Sequence, residues 1–231
     1  MIKSFLISIS FSITLIASQQ IILVVADDFN TSKAKLECYE DGKLIFNTID
    51  VNIGKNGLAW GLGEVILKQR SNEPIKYEGD KKAPIGVFKL SNIYGYKVKS
   101  LYNMPYLYAS ENLICVDDSN SSFYNQIIEA NGDEKSFEYM KRQDEQYRLG
   151  IVVEHNTNAQ NRRGSCIFLH IKKSLNAPTA GCTSMSLSEI QKIALWLDKS
   201  KNPLLIQIPK NLSKEVLKHY PKLKSSKLLP L

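Results

Sequence analysis

The residues best suited to chemistry lie in one stretch of the chain, residues 164–186 (GSCIFLHIKKSLNAPTAGCTSMS). His170 lies in an apolar run that is typical of a buried strand, and Cys182 follows directly after Gly181. A glycine lets the backbone turn tightly, and N–H groups at Gly181 and Thr183 would favour a thiolate and form an oxyanion hole. A cysteine and a histidine within reach make an activated nucleophile and its base. The pattern indicates Cys182 as nucleophile and His170 as general acid/base, although spacing alone leaves a structural role open for each.

Strand geometry gives this histidine a defined side of the predicted sheet. Side chains alternate between the two faces of a strand, so Ile167 and Leu169 share one face. Cys166, Phe168 and His170 share the other. We expect Cys166 to pack beside the site as a small buried residue.

The same stretch resembles the signature of the L,D-transpeptidase catalytic domain (YkuD-type): a strand histidine, a loop, and then Ser/Thr-x-Gly-Cys. Its counterpart here is the TAGC of residues 179–182. The segment KYEGDKKAPIGVFKL (76–90) resembles the Gly-Asp and Pro-x-Gly part of that family. The chain also resembles a periplasmic branch of the family at residues 54–61, 115–125 and 147–156. The resemblance spans residues 19–209 and implies a mainly β catalytic domain, a sandwich of mixed sheets with a few short helices.

This resemblance implies chemistry on peptidoglycan stem peptides. The Cys182 thiolate would attack the carbonyl of the third stem residue, at its L-centre, while His170 passes the thiol proton to the departing D-alanine. An amine of a neighbouring stem would then resolve the thioester into a 3→3 cross-link, or water would complete L,D-carboxypeptidase trimming. The family often orients its histidine with a backbone carbonyl. Neither a cofactor nor a metal is implied.

Two departures from the family pattern affect how substrate would be held. Ala180 stands where members commonly have histidine, and residues 183–185 (TSM) stand where many have an arginine that holds a substrate carboxylate. Arg162 or Arg163, just before the His170 strand, is a candidate for the missing cation. The residues predicted to contact substrate are Thr179, His155 and Arg163.

Other functions remain open at this level. The chain could be a non-catalytic envelope-binding module that keeps the fold without the acceptor chemistry. A zinc peptidase would use His155, His170 and Cys182, although it lacks the paired ligand spacing typical of such sites. The remaining cysteines, Cys38 and Cys115, are interpreted as structural thiols or as a bridge.

The N-terminus predicts export. Residues 1–18 (MIKSFLISISFSITLIAS) have the form of a secretory signal, in which Lys3 precedes an apolar stretch that ends in small residues. An uncleaved anchor helix is the alternative. Both interpretations place the rest of the chain outside the cytoplasm, in the periplasm or cell envelope.

Charge is concentrated at the C-terminus. The 231 residues carry a net charge of +7, and residues 210–231 hold six lysines against one glutamate. The catalytic region at 19–209 is therefore nearly neutral, which argues against a nucleic-acid groove. We expect this basic tail to be a solvated extension, with contact to an anionic envelope surface as the alternative. Because the only long apolar run is N-terminal, a polytopic membrane protein is excluded.

The elements that must position the site are mostly strands. A helix is predicted after Ser186, because Ser186 and Glu189 form a capping box ahead of an apolar face. Short surface helices are predicted in the charged run at 119–148. The predicted strands are residues 21–25, 34–40, 47–54, 86–90, 97–102, 150–156, 165–171 and 203–209.

Overall fold

The computed structural model of the chain describes residues 18–98 and 101–230. The predicted signal at 1–18 lies outside these ranges except for its last residue. Strands make up 35% of the chain and helices 13%, so the predicted mainly β fold with few short helices is confirmed. No helix within the described ranges is long and apolar enough to cross a membrane.

Most of the elements in the described chain are strands, and both α-helices lie in its last third. The strands are β1 (Gln20–Ala26), β2 (Lys33–Glu40), β3 (Lys43–Leu44), β4 (Ile49–Asn52), β5 (Leu58–Trp60), β6 (Ala83–Gly95), β7 (Tyr106–Tyr108), β8 (Leu113–Val116), β9 (Ile127–Glu129), β10 (Phe137–Tyr139), β11 (Leu149–Val153), β12 (Phe168–Ile171), β13 (Thr183–Met185) and β14 (Leu204–Pro209). The helices are α1 (Leu187–Trp196) and α2 (Ser213–His219), with 3-10 turns at Lys199–Lys201, Lys210–Leu212 and Pro221–Ser225.

One large mixed sheet forms the body of the domain. Its strands run in the order β1-β14-β6-β11-β12-β13-β4-β2-β3, with β5 and β7 paired to β6. Because β1 pairs in parallel with β14 and antiparallel with β2, the sheet closes on itself. A second sheet of three strands, β10-β8-β9, stands apart from it. We call this second sheet the small sheet.

Two apolar clusters form the core, and the strand alternation predicted around His170 divides between them. Ile167 and Leu169 belong to the large cluster inside the main sheet. Cys166 and Phe168 face a smaller cluster, which also contains Cys182. The predicted assignment of faces is therefore confirmed. Each fully buried Leu, Ile or Phe side chain stabilises the fold by roughly 1.5–3 kcal/mol.

The predicted capping box begins α1. The Ser186 side chain accepts a hydrogen bond from the Glu189 N–H, and the Glu189 carboxylate accepts one from the Ser186 N–H at 2.8 Å. Ile190, Ile193 and Ala194 are buried, so the helix packs on the sheet through its apolar face. This cap holds the end of β13, the strand that follows Cys182.

Two predicted elements are wrong. Residues 97–98 and 101–102 are not in a strand; β6 ends at Gly95 and β7 pairs beside it instead. Residues 119–148 contain no helix and hold β9, β10 and turns. Side chains of Asp118, Asn131 and Asp144 accept bonds from backbone N–H groups two residues ahead, and such local bonds compete with a helix.

The basic tail is not a solvated extension. Its six lysines are exposed, but Val216, Leu223 and Leu229 are buried in the large cluster. Ser226 donates a hydrogen bond to the buried Glu37 carboxylate at 2.6 Å. The charge pattern suggested solvation because lysines dominate the composition, whereas the apolar residues between them carry the packing. The tail is therefore part of the folded domain.

This packing predicts a stability cost for a mutation in the tail. Leu223→Ala should lower the free energy of unfolding by about 2–5 kcal/mol, because Leu223 is fully buried and its truncation leaves a cavity. Urea denaturation monitored by fluorescence measures the change. Lys224→Ala, at the exposed neighbouring position, is the matched control and should be near neutral. Equal stability of the two variants would show that the tail does not contribute to the core.

Candidate active site

The register between two neighbouring strands brings the cysteine and the histidine together. β12 and β13 pair in parallel, with Leu169 opposite Thr183 and His170 opposite Ser184. Cys182, one residue before β13, therefore lies beside Phe168, whose N–H donates to Sγ at 3.3 Å. Both Cys182 and His170 line one cavity of about 410 Å³, which we call the catalytic cavity.

The turn before the cysteine is fixed by its own threonine. The Thr179 hydroxyl donates to the Cys182 carbonyl at 2.6 Å and accepts from the Gly181 N–H at 3.1 Å. Gly181 has φ of 153°, and a Cβ there would lie 3.1 Å from the Lys82 carbonyl oxygen, so glycine suits this position. Thr179 lines the catalytic cavity, but its hydroxyl is bonded to the turn.

The thiol is buried rather than open to solvent. Cys182 is only 7% exposed, and Sγ lies 3.5 Å from the Cys166 carbonyl oxygen, to which the S–H donates. Burial, together with the nearby Glu138 charge, raises the pKa of the Cys182 thiol to about 12. The bond from the Phe168 N–H and the Lys76 charge act in the opposite direction. The expectation that the turn favours a resting thiolate is therefore wrong for the free protein, because desolvation outweighs the turn's N–H groups.

The histidine is oriented by the backbone. Nδ1 of His170 lies 2.9 Å from the Ile171 carbonyl oxygen, which can only accept, so Nδ1 carries the proton and Nε2 keeps its lone pair. Burial lowers the pKa of His170 to about 4, and the nearby Arg142 charge lowers it too. The His170 and Cys182 side chains, which the structure describes, are not joined by a hydrogen bond. Both are neutral at pH 7, which leaves Nε2 of His170 able to accept a proton.

A tyrosine that the sequence did not single out contacts this pair. The Tyr147 ring packs edge-on against the His170 ring, with centroids 5.2 Å apart, and against Phe168. Its hydroxyl donates to Glu138 Oε2 at 2.5 Å. Glu138 lies on the small sheet and also lines the catalytic cavity. Since Glu138 lies on the small sheet and Tyr147 lies in the turn before β11, no local pattern in the sequence signals their contact.

A disulfide bond joins the small sheet to the wall of the site. Cys115 on β8 is bonded to Cys166, while Cys38 is a buried free thiol. Cys166 has φ of 54°, and its N–H donates to the Asn125 side-chain oxygen at 2.9 Å. Cys166 is buried beside the site as expected, since it is 4% exposed and lines the catalytic cavity, and its sulfur is bonded to Cys115. Of the two interpretations of Cys115, a structural thiol or a bridge, the structure shows the bridge.

A buried lysine was also missed by the sequence analysis. Lys76 is 3% exposed and lines the catalytic cavity, and its Nζ lies 2.5 Å from Asp80 Oδ1. A Cβ built at Gly181 would lie 3.8 Å from that Nζ, which places the ammonium beside the Gly-Cys turn. The Lys76 charge lowers the pKa of the Cys182 thiol, against the effect of burial. A lysine in a charged stretch gives no sequence signal of burial.

Three residues predicted for the site lie outside the lining of the catalytic cavity. His155 is buried elsewhere, where Nδ1 accepts from the Leu62 N–H at 3.2 Å and Nε2 lies 3.0 Å from the Arg163 carbonyl oxygen. Arg163 Nε donates to the Lys76 carbonyl at 3.2 Å. Thr183 is buried, and its hydroxyl donates to Gln207 Oε1 at 2.6 Å. These side chains hold the surrounding backbone.

The structure therefore brings together Cys182, His170, Gly181 and Thr179. It does not bring His155 to them, so the three ligands of the zinc-peptidase alternative do not meet. Within residues 18–98 and 101–230, no three His, Cys, Asp or Glu side chains are grouped to hold a metal ion. Arg142 and Lys173 are cavity-lining cations, whereas Arg162 is exposed outside the lining.

The buried thiol predicts slow alkylation of the free protein. With a pKa near 12, Cys182 should react with iodoacetamide far more slowly at pH 7 than a free thiol of pKa about 8.5, and the rate should still be rising at pH 10. Peptide mapping of the alkylated cysteine measures the rate, with glutathione as reference. His170→Ala should leave this profile in place, because no hydrogen bond joins the two groups. A plateau below pH 9 would contradict the buried neutral thiol.

The two buried histidines predict loss of stability in acid. Burial lowers the pKa of His155 and of His170 to about 4, whereas unfolded histidine titrates near 6.5. Below pH 6.5 the unfolded chain therefore binds more protons than the folded protein. The stability that the neutral buried histidines allow is complete above pH 6.5 and is lost as the pH falls through about 4. Between pH 7.5 and 4.5 the loss should be roughly 2–3 kcal/mol per histidine, measured by urea denaturation.

Two histidine variants distinguish the acid destabilisation caused by the buried histidines from that caused by the titration of carboxyl groups. His155→Gln should make the loss between pH 7.5 and 4.5 smaller than in the wild type. His219→Gln is the control, since His219 lies on the surface of α2 and its substitution should leave the loss unchanged. An equal loss in all three proteins would show that the buried histidines do not govern acid stability.

Comparison with known families agrees with this geometry. The family model described as the L,D-transpeptidase catalytic domain (YkuD) matches residues 21–206. No curated protein and no solved structure matches the chain. The matched range includes His170, the Gly-Cys turn and the strands of the closed sheet, apart from the first residue of β1 and the last three residues of β14. Because the match covers most of the chain, the protein belongs to the YkuD family of L,D-transpeptidase-type peptidoglycan enzymes.

Proposed function

We propose that this protein is a cysteine acyltransferase that acts on peptidoglycan stem peptides, with Cys182 as nucleophile and His170 as general acid/base. The observation that carries the proposal is the parallel pairing of β12 and β13, which sets both side chains on one cavity. The bond from His170 to the Ile171 carbonyl supports it, because it leaves Nε2 free to take the thiol proton.

The neutral state of the pair fits a concerted proton transfer. In the free protein, burial disfavours both the thiolate and the imidazolium, so neither ion forms until substrate is bound. As Sγ attacks the carbonyl of the third stem residue, its proton passes to Nε2 of His170 and then to the amine of the leaving D-alanine. Backbone N–H groups of the turn at 181–183 are the proposed donors to the oxyanion.

The thioester has two fates in this proposal. An amine of a neighbouring stem forms a 3→3 cross-link, and water gives L,D-carboxypeptidase trimming. In either case the attacking group loses a proton to His170 and Cys182 leaves as the thiol. Each fate restores the free enzyme without a cofactor.

A non-catalytic envelope-binding module is the second candidate. One observation favours it: the thiol is protonated and makes no hydrogen bond to the histidine in the free protein. Against it stand the retained nucleophile, the free Nε2 of His170 and the cavity that joins them. A turnover assay separates the two candidates.

The proposed site of action is the periplasm or cell envelope. The signal-like residues 1–18 and the disulfide Cys115–Cys166 both support export, since structural disulfides persist in oxidising compartments. The exposed lysines of the tail support contact with an anionic envelope surface, a contact that salt should weaken.

Replacing the nucleophile provides the direct test. Cys182→Ala should abolish both D-alanine release and formation of a thioester adduct when the protein is incubated with purified muropeptides, as followed by mass spectrometry. Cys38→Ala is the matched control, because Cys38 is a buried free thiol outside the cavity, and it should keep activity if it folds. Full turnover by Cys182→Ala would disprove the assignment, and no turnover by the wild type on any stem peptide would favour the binding module.

A further inference from the structure

A second cavity adjoins the catalytic cavity and shares part of its wall. This acceptor groove, as we name it, has a volume of about 690 Å³ and is lined by residues of β10 and of the segment that follows it. Glu138 and Arg142 line both cavities. These two side chains therefore form a wall common to the groove and the catalytic cavity.

Glu138 is a carboxyl group that the acylation step does not use. Its Oε2 accepts the Tyr147 hydroxyl, whose ring packs on His170, while Oε1 accepts no hydrogen bond from the described residues. Its charge acts on Cys182, since it raises the pKa of that thiol. Glu138 therefore acts on Cys182 through its charge and is linked to His170 through the Tyr147 ring, with one oxygen uncommitted.

The surroundings of Glu138 make its carboxylate a better base than an exposed one. Burial raises the pKa of Glu138, and the charges of Asp117 and Glu78 raise it further, while the Tyr147 hydroxyl and Arg142 lower it. Arg142 is itself occupied, because its Nε and Nη2 donate to Asp144 at 2.9 and 2.6 Å. This corner of the cavity is consequently suited to a cation with a proton to give up.

The cross-linking step needs such a group. An amine arrives from water at pH 7 as an ammonium ion, which has no lone pair for attack on a thioester. We propose that Glu138 is the catalytic residue that binds the acceptor ammonium as it enters from the acceptor groove and removes its first proton. This inference rests on the proposed acyl-transfer function and extends it to the second half-reaction.

The proposed second half-reaction converts an ammonium ion and the thioester into an amide. The ammonium gives one proton to the Glu138 carboxylate, and the resulting amine nitrogen bonds to the thioester carbonyl carbon. The bond from that carbon to Cys182 Sγ breaks, and the sulfur leaves with the electron pair. His170 Nε2 takes the second amine proton and delivers it to the sulfur. The products are an amide, a thiol and one proton, which Glu138 releases to solvent.

The test measures how much of the thioester goes to the amide product and how much to the acid. The donor is a stem tetrapeptide whose own amines are acetylated, and the acceptor probe is Nα-acetyl-lysine amide. The ratio of amide to acid product does not depend on how fast the thioester forms. In Glu138→Gln this ratio should fall at least about tenfold at pH 7. The deficit should shrink toward pH 10, where much of the probe amine arrives without its extra proton.

Matched variants and outcomes make the test decisive. Glu129→Gln removes a carboxylate from an exposed position of the small sheet and should keep the wild-type ratio. If Glu138→Gln does not fold, Glu138→Asp is measured in the same way and should show a smaller deficit with the same dependence on pH. A ratio within twofold of the wild type, or a deficit equal at all pH values, would overturn the inference, as would a wild-type thioester that gives no amide. Absence of any wild-type thioester would instead overturn the proposed function.

Discussion

The parallel register of β12 and β13 is the constraint on which the site depends. It fixes Cys182 beside Phe168, two positions along the paired strands from His170. The loop between the strands is held by two backbone bonds of Thr179, one to Ile53 and one from Lys55. A shift of one residue would turn the cysteine to the other side of the sheet, because side chains alternate along a strand. The catalytic arrangement is thus a property of sheet pairing.

Burial then sets the electrostatics of that arrangement. A thiolate and an imidazolium in this cavity would each lose hydration, and a buried ion pair recovers that cost only with good geometry. The cost is avoided because both groups stay neutral: the thiol bonds to backbone atoms of Cys166 and Phe168, and His170 bonds to Ile171. The free protein therefore holds a pair of neutral groups, and in the proposed reaction charge develops only when a substrate carbonyl is present to receive the sulfur.

Sequence reasoning found what local patterns encode. The strand around His170, its alternation of faces, the Gly-Cys turn and the capping box at Ser186 each depend on residues within a few positions, and each agrees with the structure. The bridge from Cys115 to Cys166 spans 51 residues, so no local pattern could assign it. Tyr147, Glu138 and Lys76 were missed because their roles arise from contacts between elements. The tail was misread because six lysines conceal its buried leucines.

The small sheet explains why those long-range contacts are needed. A sheet of three strands needs a hydrophobic face or packing against other structure to be stable in water. This sheet is tied to the catalytic wall by the disulfide, by Asn125, which bonds to the backbone of residues 155, 156 and 166, and by the Tyr147 bond to Glu138. The main sheet thus positions Cys182 and His170, the proposed nucleophile and base, while the small sheet contributes the Glu138 carboxylate to the cavity wall. Because these ties connect at the residues nearest the thiol, loosening the small sheet would alter the cavity before it altered the body of the fold.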